Sequence, residues 1–118
     1  MTRILVTGGR DYADRERLTR TLDDLARTQA IAVIIHGNAP GADSLAAEWA
    51  AARSIARAAY PVLPAEWALL GKAAGPRRNA KMLREGRPDL VVAFPGGRGT
   101  ADMVRRARAA GVRVMEVV

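Results

Sequence analysis

Residues 89–100 read DLVVAFPGGRGT. The stretch 89–94 is a strand-length apolar run, closed by Pro95-Gly96. Apolar residues in succession, rather than in alternation, mark a strand buried on both faces, the habit of a parallel sheet covered by helices. The glycine turn leads directly into a helical pattern at 99–110, which Gly111 ends. A fifth strand follows at 112–117, VRVMEV.

The same unit recurs upstream. Residues 3–7, RILVT, form a first strand ended by Gly8-Gly9. Residues 14–30 place Leu18, Leu22 and Leu25 at helical spacing. IAVIIH at 31–36 is a second buried strand. The 42–57 stretch predicts a helix with Leu45, Trp49, Ala52 and Ala56 on one face. Residues 58–63 predict a weaker third strand, interrupted by Pro61 and followed by Pro64, and 76–86 predict a short helix stopped by Gly86 and Pro88. Between them, 64–76 (PAEWALLGKAAGP) is too long for a minimal connection and reads as a functional loop or a broken helix. The order β-α-β-α-β-α-β-α-β implies an α/β fold: one parallel sheet with helices on both faces and right-handed crossovers.

Composition agrees. At 118 residues, 49% hydrophobic and 26% charged, the chain reads as one ordered domain spanning 1–118. It has no cysteine and one histidine, His36, so neither a disulfide framework nor a zinc centre is expected, and nothing calls for a cofactor. The N-terminus MTRILVTGG lacks a signal-peptide core, and no apolar run is long enough to span a membrane. A cytoplasmic protein without membrane contact is the expectation. The net charge of +7 includes helix-face groups such as Arg15, Arg17, Arg20, Arg105, Arg106 and Arg108, which read as solvated surface. Arg10, Arg77, Arg78 and Arg98 instead lie beside glycine-rich turns.

In an open α/β sheet, ligands bind beyond the carboxyl ends of the strands, where strand order reverses. Three glycine-rich turns fall there: Thr7-Gly8-Gly9-Arg10-Asp11, the 36–43 stretch HGNAPGAD, and Pro95-Gly96-Gly97-Arg98-Gly99-Thr100. Glycine lets backbone N–H groups approach a ligand, and the following helix directs its positive end to the same place. That pairing suits phosphate. Neither the dinucleotide fingerprint nor the P-loop pattern is present.

PGGRGTADM at 95–103 resembles the signature of the SLOG superfamily, which joins the Lonely Guy phosphoribohydrolases with the Smf/DprA proteins. VTGGRDYAD at 6–14, HGNAPGADSLAAEWA at 36–50 and EWALLGKAAGPRRNAKM at 66–82 are similar to its small YspA-like branch. The resemblance spans nearly the whole chain. It implies a Rossmann-like five-stranded sheet of order 3-2-1-4-5 that binds a nucleotide or a nucleotide-derived, ADP-ribose-like molecule. In the Lonely Guy enzymes the motif ends in a catalytic glutamate. That position is Met103 here, and the nearest carboxylate is Asp102. The Arg-Lys pair of those enzymes reads Arg78-Asn79. The resemblance thus implies that the anion-holding part is kept, while the hydrolytic glutamate is not.

The candidate ligand- or phosphate-binding residues are Gly8, Gly9, Arg10, Gly37, Asn38, Asp43, Arg78, Asn79, Gly96, Gly97, Arg98, Gly99 and Thr100, with Tyr12, Trp67 and Lys72 at the pocket border. Each has a structural alternative. Asp43 and Thr100 are plausible helix caps, Arg78 a solvated helix start, and Asp102 either a catalytic carboxylate or a first-turn partner of the helix dipole. Trp49 is expected in the core. Three functions fit: a small-molecule-binding module, which leads; a nucleotide N-glycosidase using Asp102 and Arg78; and a single-strand nucleic-acid binder. At 4% aromatic residues the chain has little with which to stack bases, so weak non-specific nucleic-acid binding is the most expected. The sequence leaves the oligomeric state open; related folds commonly dimerise through sheet-flanking helices, so a homodimer is one possible arrangement.

Overall fold

A computed structural model describes residues 1–118. The strands are β1 (Thr2–Thr7), β2 (Ile31–His36), β3 (Ala56–Ala59), β4 (Leu90–Ala93) and β5 (Arg113–Glu116). The helices are α1 (Arg15–Thr28), α2 (Ala42–Ala52), α3 (Pro64–Leu70), α4 (Ala74–Gly86) and α5 (Arg98–Ala109). The five strands form one sheet, ordered β3-β2-β1-β4-β5, with every pairing parallel. This is the α/β, Rossmann-like order expected. Leu5 is paired with Ile35 on one side and with Val91 on the other, so the middle of β1 is the middle of the sheet.

The period-two alternation of β1 divides the core. Ile4 and Val6 face one side, where Leu18 and Leu22 of α1 and Ala46, Trp49 and Ala50 of α2 cover them. Leu5 faces the other, packing with Ile35, Val91, Met82 of α4, and Met103 and Ala107 of α5. Trp49 is core as expected, and its indole N–H donates to Asp23 Oδ1 at 3.0 Å. Arg53 lies over the Trp49 ring at 4.6 Å and pairs with Asp23 at 2.6 Å, joining α1 to α2.

The largest departures from the expected boundaries lie between α2 and β3. The helix expected over 42–57 ends at Ala52, and β3 occupies Ala56–Ala59 rather than 58–63. The stop is a Schellman turn: Ile55 N–H donates to Ala50 O at 2.9 Å and Ser54 N–H to Ala51 O at 3.2 Å. Ser54 takes the left-handed position, φ +55°, that glycine usually marks, so the sequence carries no stop signal there. The buried face of α2 is accordingly Ala42, Ala46, Trp49 and Ala50, with Ala52 exposed and Ala56 on a strand. The irregular segment 64–76 is the broken helix of the two alternatives. Helix α3 ends at Gly71 (φ +54°), a 3₁₀ turn spans Gly71–Ala73, and α4 begins at Ala74. No helix is long and apolar enough to cross a membrane.

Candidate functional site

The three glycine-rich turns meet at the carboxyl edge of the sheet, laced together through Gly9. Its N–H donates to Pro95 O at 2.9 Å, and its carbonyl accepts from Ala42 N–H and Tyr12 N–H, both at 3.2 Å. Several glycines serve this packing. A side chain on Gly8 would stand 2.6 Å from Ala42 Cβ, and one on Gly96 would strike Thr100 Oγ1. Gly97 and Gly99 differ, because nothing lies within 4 Å of where their Cβ atoms would be.

Helix α5 opens from this junction. Gly97 is its N-cap, so Thr100 sits inside the first turn and is not the cap. The first intrahelical bond is Ala101 N–H to Gly97 O at 3.0 Å. The N–H groups of Arg98, Gly99 and Thr100 therefore have no acceptor within the protein. No acidic residue occupies that first turn, whereas α1 carries Glu16 and α2 carries Asp43 at the same place. No acidic side chain of α5 itself offsets the positive end of its dipole.

A cleft of about 350 Å³ lies over this helix start. Of the candidates, Gly8, Gly9, Arg10, Asp43, Arg78, Asn79, Gly97, Arg98, Gly99 and Thr100 line it, and Trp67 of α3 borders it, half exposed. Gly37, Asn38, Gly96, Tyr12, Lys72 and Asp102 do not. Tyr12 turns onto Phe94, ring centroids 5.3 Å apart, on the α1 side of the sheet. Lys72 is exposed in the 3₁₀ turn. The N–H groups of Gly37 and Asn38 are consumed locally, by Asp43 Oδ2 at 2.9 Å and His36 Nδ1 at 3.0 Å. Burial, with Arg57 adding, pushes His36 below its ordinary pKa and keeps that acceptor neutral. Sequence reasoning missed Val6, Thr7, Asp11, Ala39, Gly75 and Met82 in the wall. Thr7 and Asp11 flank a turn already singled out; Gly75 enters only because α4 starts earlier than expected.

Asp102 stands elsewhere. It is buried between α4 and α5, where Asn79 Nδ2 (3.0 Å), Arg105 (2.7 Å) and Arg106 (2.9 Å) all donate to it. Two guanidinium groups and an amide occupy its oxygens, and it lies past the first turn, so it is neither a cleft carboxylate nor a first-turn dipole partner. Arg105 and Arg106 are correspondingly not simply solvated. Met103, at the position of the Lonely Guy glutamate, is fully buried in the core. Asn79 spends its amide on Gly99 O (3.2 Å) and Asp102, tying α4 to the α5 start.

Arg78 is not a solvated helix start. It lies in the second turn of α4, partly buried. Its Nη1 donates to Gly37 O at 2.7 Å and Tyr60 O at 3.3 Å, and Nε to Asn79 Oδ1 at 3.3 Å. Nη2 makes no bond within the protein and remains available. Burial lowers its pKa, opposed by Asp43 and reinforced by Arg10, yet a guanidinium stays charged. Asp43, too, does something other than cap its helix, whose N-cap is Gly41. Its Oδ2 accepts from Gly37 N–H (2.9 Å) and Ala39 N–H (3.3 Å), folding the preceding loop around itself. Burial drives its carboxyl up to about 6, against the lowering pull of those two bonds and of Arg78 and Arg10.

Comparison with known proteins agrees with this architecture. A structure of UDP-GlcNAc 2-epimerase from Neisseria meningitidis bound to UDP-GlcNAc superposes with a TM-score of 0.56 at 13% identity, over 97% of this chain and 31% of that one. The chain thus spans about a third of the epimerase, and the likeness is one of fold. The Gene 61 protein of Mycobacterium phage D29 is 39% identical over 122 residues, covering 98% of this chain and 95% of the relative. The YAcAr family, described as the YspA, cpYpsA-related SLOG family, matches residues 2–69. With that match over more than half its length, the chain belongs to the YspA, cpYpsA-related SLOG family.

Proposed function

We propose that the cleft binds the phosphate of a nucleotide or nucleotide-derived small molecule and that the protein acts as a ligand-binding module. The observation that carries this is the α5 start. Three backbone donors without acceptors, Arg98, Gly99 and Thr100, open onto a cleft whose wall includes the arginines Arg10, Arg78 and Arg98. Helix N-termini with free N–H groups bind anions by hydrogen bonding and dipole together, and guanidinium forks match phosphate oxygens. The room beside Gly97 and Gly99 lets an anion come within contact of the backbone. A volume of about 350 Å³ suits a small molecule.

The N-glycosidase alternative asks for a free carboxylate at the α5 turn. Met103 is in the core and Asp102 is held by Arg105 and Arg106, so the arrangement supports binding over cleavage.

A thermal-shift series with AMP, ADP and inorganic phosphate at fixed ionic strength tests the proposal. A ligand at 100 times its Kd stabilises by about 2.7 kcal/mol, and the double variant Arg10→Ala, Arg98→Ala is expected to lose most of the gain. No shift with any of the three at millimolar concentration contradicts it.

A further inference from the structure

Asp43 is only 6% exposed, yet one of its oxygens is unused. Oδ2 takes both backbone bonds, from Gly37 and Ala39. Oδ1 has no partner in the protein. Every fully buried side-chain oxygen or nitrogen has a partner, so Oδ1 is not sealed in the core; it reaches the cleft that Asp43 lines. An acceptor-only oxygen held at the wall of an anion-binding cleft asks for a donor from the ligand.

The surroundings narrow that donor. Arg10 from the β1 turn and Arg78 from α4 both act on the Asp43 carboxyl. His36, at the end of β2, has Nδ1 occupied by Asn38 N–H. Asp11, the other acid of the cleft wall, lies near Gly9. Two guanidinium groups disfavour a cationic amine beside Asp43, which leaves a neutral O–H or N–H. Position decides between these. Ala42, the residue before Asp43, donates to Gly9 O, and Gly9 donates to Pro95 O at the head of the anion turn. Asp43 therefore lines the same small cleft as Gly97, Gly99 and Thr100, where the phosphate is proposed to sit. In a nucleotide the group joined to the phosphate is the sugar, and the base lies farther out.

We propose that Asp43 Oδ1 accepts a hydroxyl of the sugar that carries the phosphate, making the cleft selective for ribosyl over hydroxyl-depleted phosphate esters. This deepens the phosphate-binding reading and rests on it. The selectivity is expected to be strongest with the carboxylate ionised, because a hydrogen bond to a charged acceptor is the stronger kind. It is correspondingly expected to weaken as the pH falls below about 6, where Asp43 takes up its proton.

The experiment compares AMP with 2′,3′-dideoxy-AMP by titration calorimetry, at pH 8 and pH 5, on the wild-type chain and on Asp43→Asn. Both probes carry the same phosphate and base, so the ratio of their affinities cancels the titration of the phosphate itself. At pH 8 the wild type is expected to prefer AMP by about tenfold or more. That ratio is expected to shrink at pH 5, and to shrink and lose its pH dependence in Asp43→Asn, with circular dichroism confirming that the variant is folded. Equal binding of the two probes by wild type at pH 8, or a wild-type ratio kept by folded Asp43→Asn, overturns the role of Asp43 and leaves the phosphate site standing. Failure of both probes and of inorganic phosphate to bind wild type overturns both readings.

Discussion

The β2–α2 loop and the β4–α5 turn look alike as sequences and are used in opposite ways. Each is glycine-rich and each opens a helix. In the β2–α2 loop the donors are spent: Gly37 and Ala39 N–H on Asp43, Asn38 N–H on His36. Gly41 is pressed against Gly9 O with φ +80°. In the β4–α5 turn the donors of Arg98, Gly99 and Thr100 are unspent, and the first turn carries no acid. The contrast teaches that a glycine turn marks an anion site only where its N–H groups are not already answered by the protein's own acceptors. In the β2–α2 loop two side chains, Asp43 and His36, supply those acceptors.

The largest effect is expected from a methyl group placed on each turn in turn. Gly41→Ala forces a Cβ onto Gly9 O and the Arg10 backbone at a φ that suits only glycine. It is expected to cost about 3 kcal/mol or more, from strain and displacement together. Gly99→Ala meets nothing and lies within a helix, so a gain of about 0.5–1 kcal/mol is expected, with weaker phosphate binding. Urea denaturation of both variants checks the pair; equal destabilisation would erase the contrast.

The pH dependence of stability sharpens it. Asp43 has a folded pKa of about 6 against an ordinary 3.8, so the folded state holds that proton more tightly than the unfolded one. Its contribution is complete below about pH 3.8 and is lost as pH rises through about 6, an effect on the order of 3 kcal/mol. His36 works the other way: its folded pKa is depressed, so its contribution is present above 6.5 and lost as pH falls through the folded value. Asp43→Asn is therefore expected to gain on wild type between pH 4 and pH 8 by about that amount. Parallel wild-type and variant profiles would show that the loop does not load its strain on Asp43.

A smaller loss, about 2 kcal/mol, is expected from Arg78→Ala. It removes charge-assisted bonds to Gly37 O and Tyr60 O that hold the β2–α2 loop and the end of β3. Arg78→Lys keeps the charge and loses the fork, so it is expected to restore only part. A melting temperature unchanged in Arg78→Ala would mean that Gly37 O and Tyr60 O find other donors.

How much of this the sequence discloses follows from where the forces are local. The apolar runs of β1, β2 and β4 and the spacing of Leu18 and Leu22 are local patterns, and they fix the order of elements. The end of α2 is harder to read, because serine at position 54 takes the left-handed conformation that glycine usually marks, while Ile55 packs against the core. At the site, the turns are legible as glycines beside helix starts. What escapes is the partner of each polar group. The burial of Asp102 under Arg105 and Arg106, the loop folded on Asp43, and the reach of Arg78 across 41 positions to Gly37 all depend on contacts made only when the sheet is assembled. Tyr12 shows the same limit, since the side of β1 it joins is set by Phe94 rather than by its own neighbours.

The central claim is that an anion sits at the start of α5 and not in the β2–α2 loop, and backbone amide chemical shifts report on both at once. In a titration of ¹⁵N-labelled protein with inorganic phosphate and then AMP, the largest shifts are expected at the amides of Arg98, Gly99 and Thr100. Smaller ones are expected at residues 8–10, with Gly37, Asn38 and Ala39 nearly still. Shifts centred on residues 37–41, or at the opposite edge of the sheet around Arg3, Arg84 and Arg87, would contradict the account.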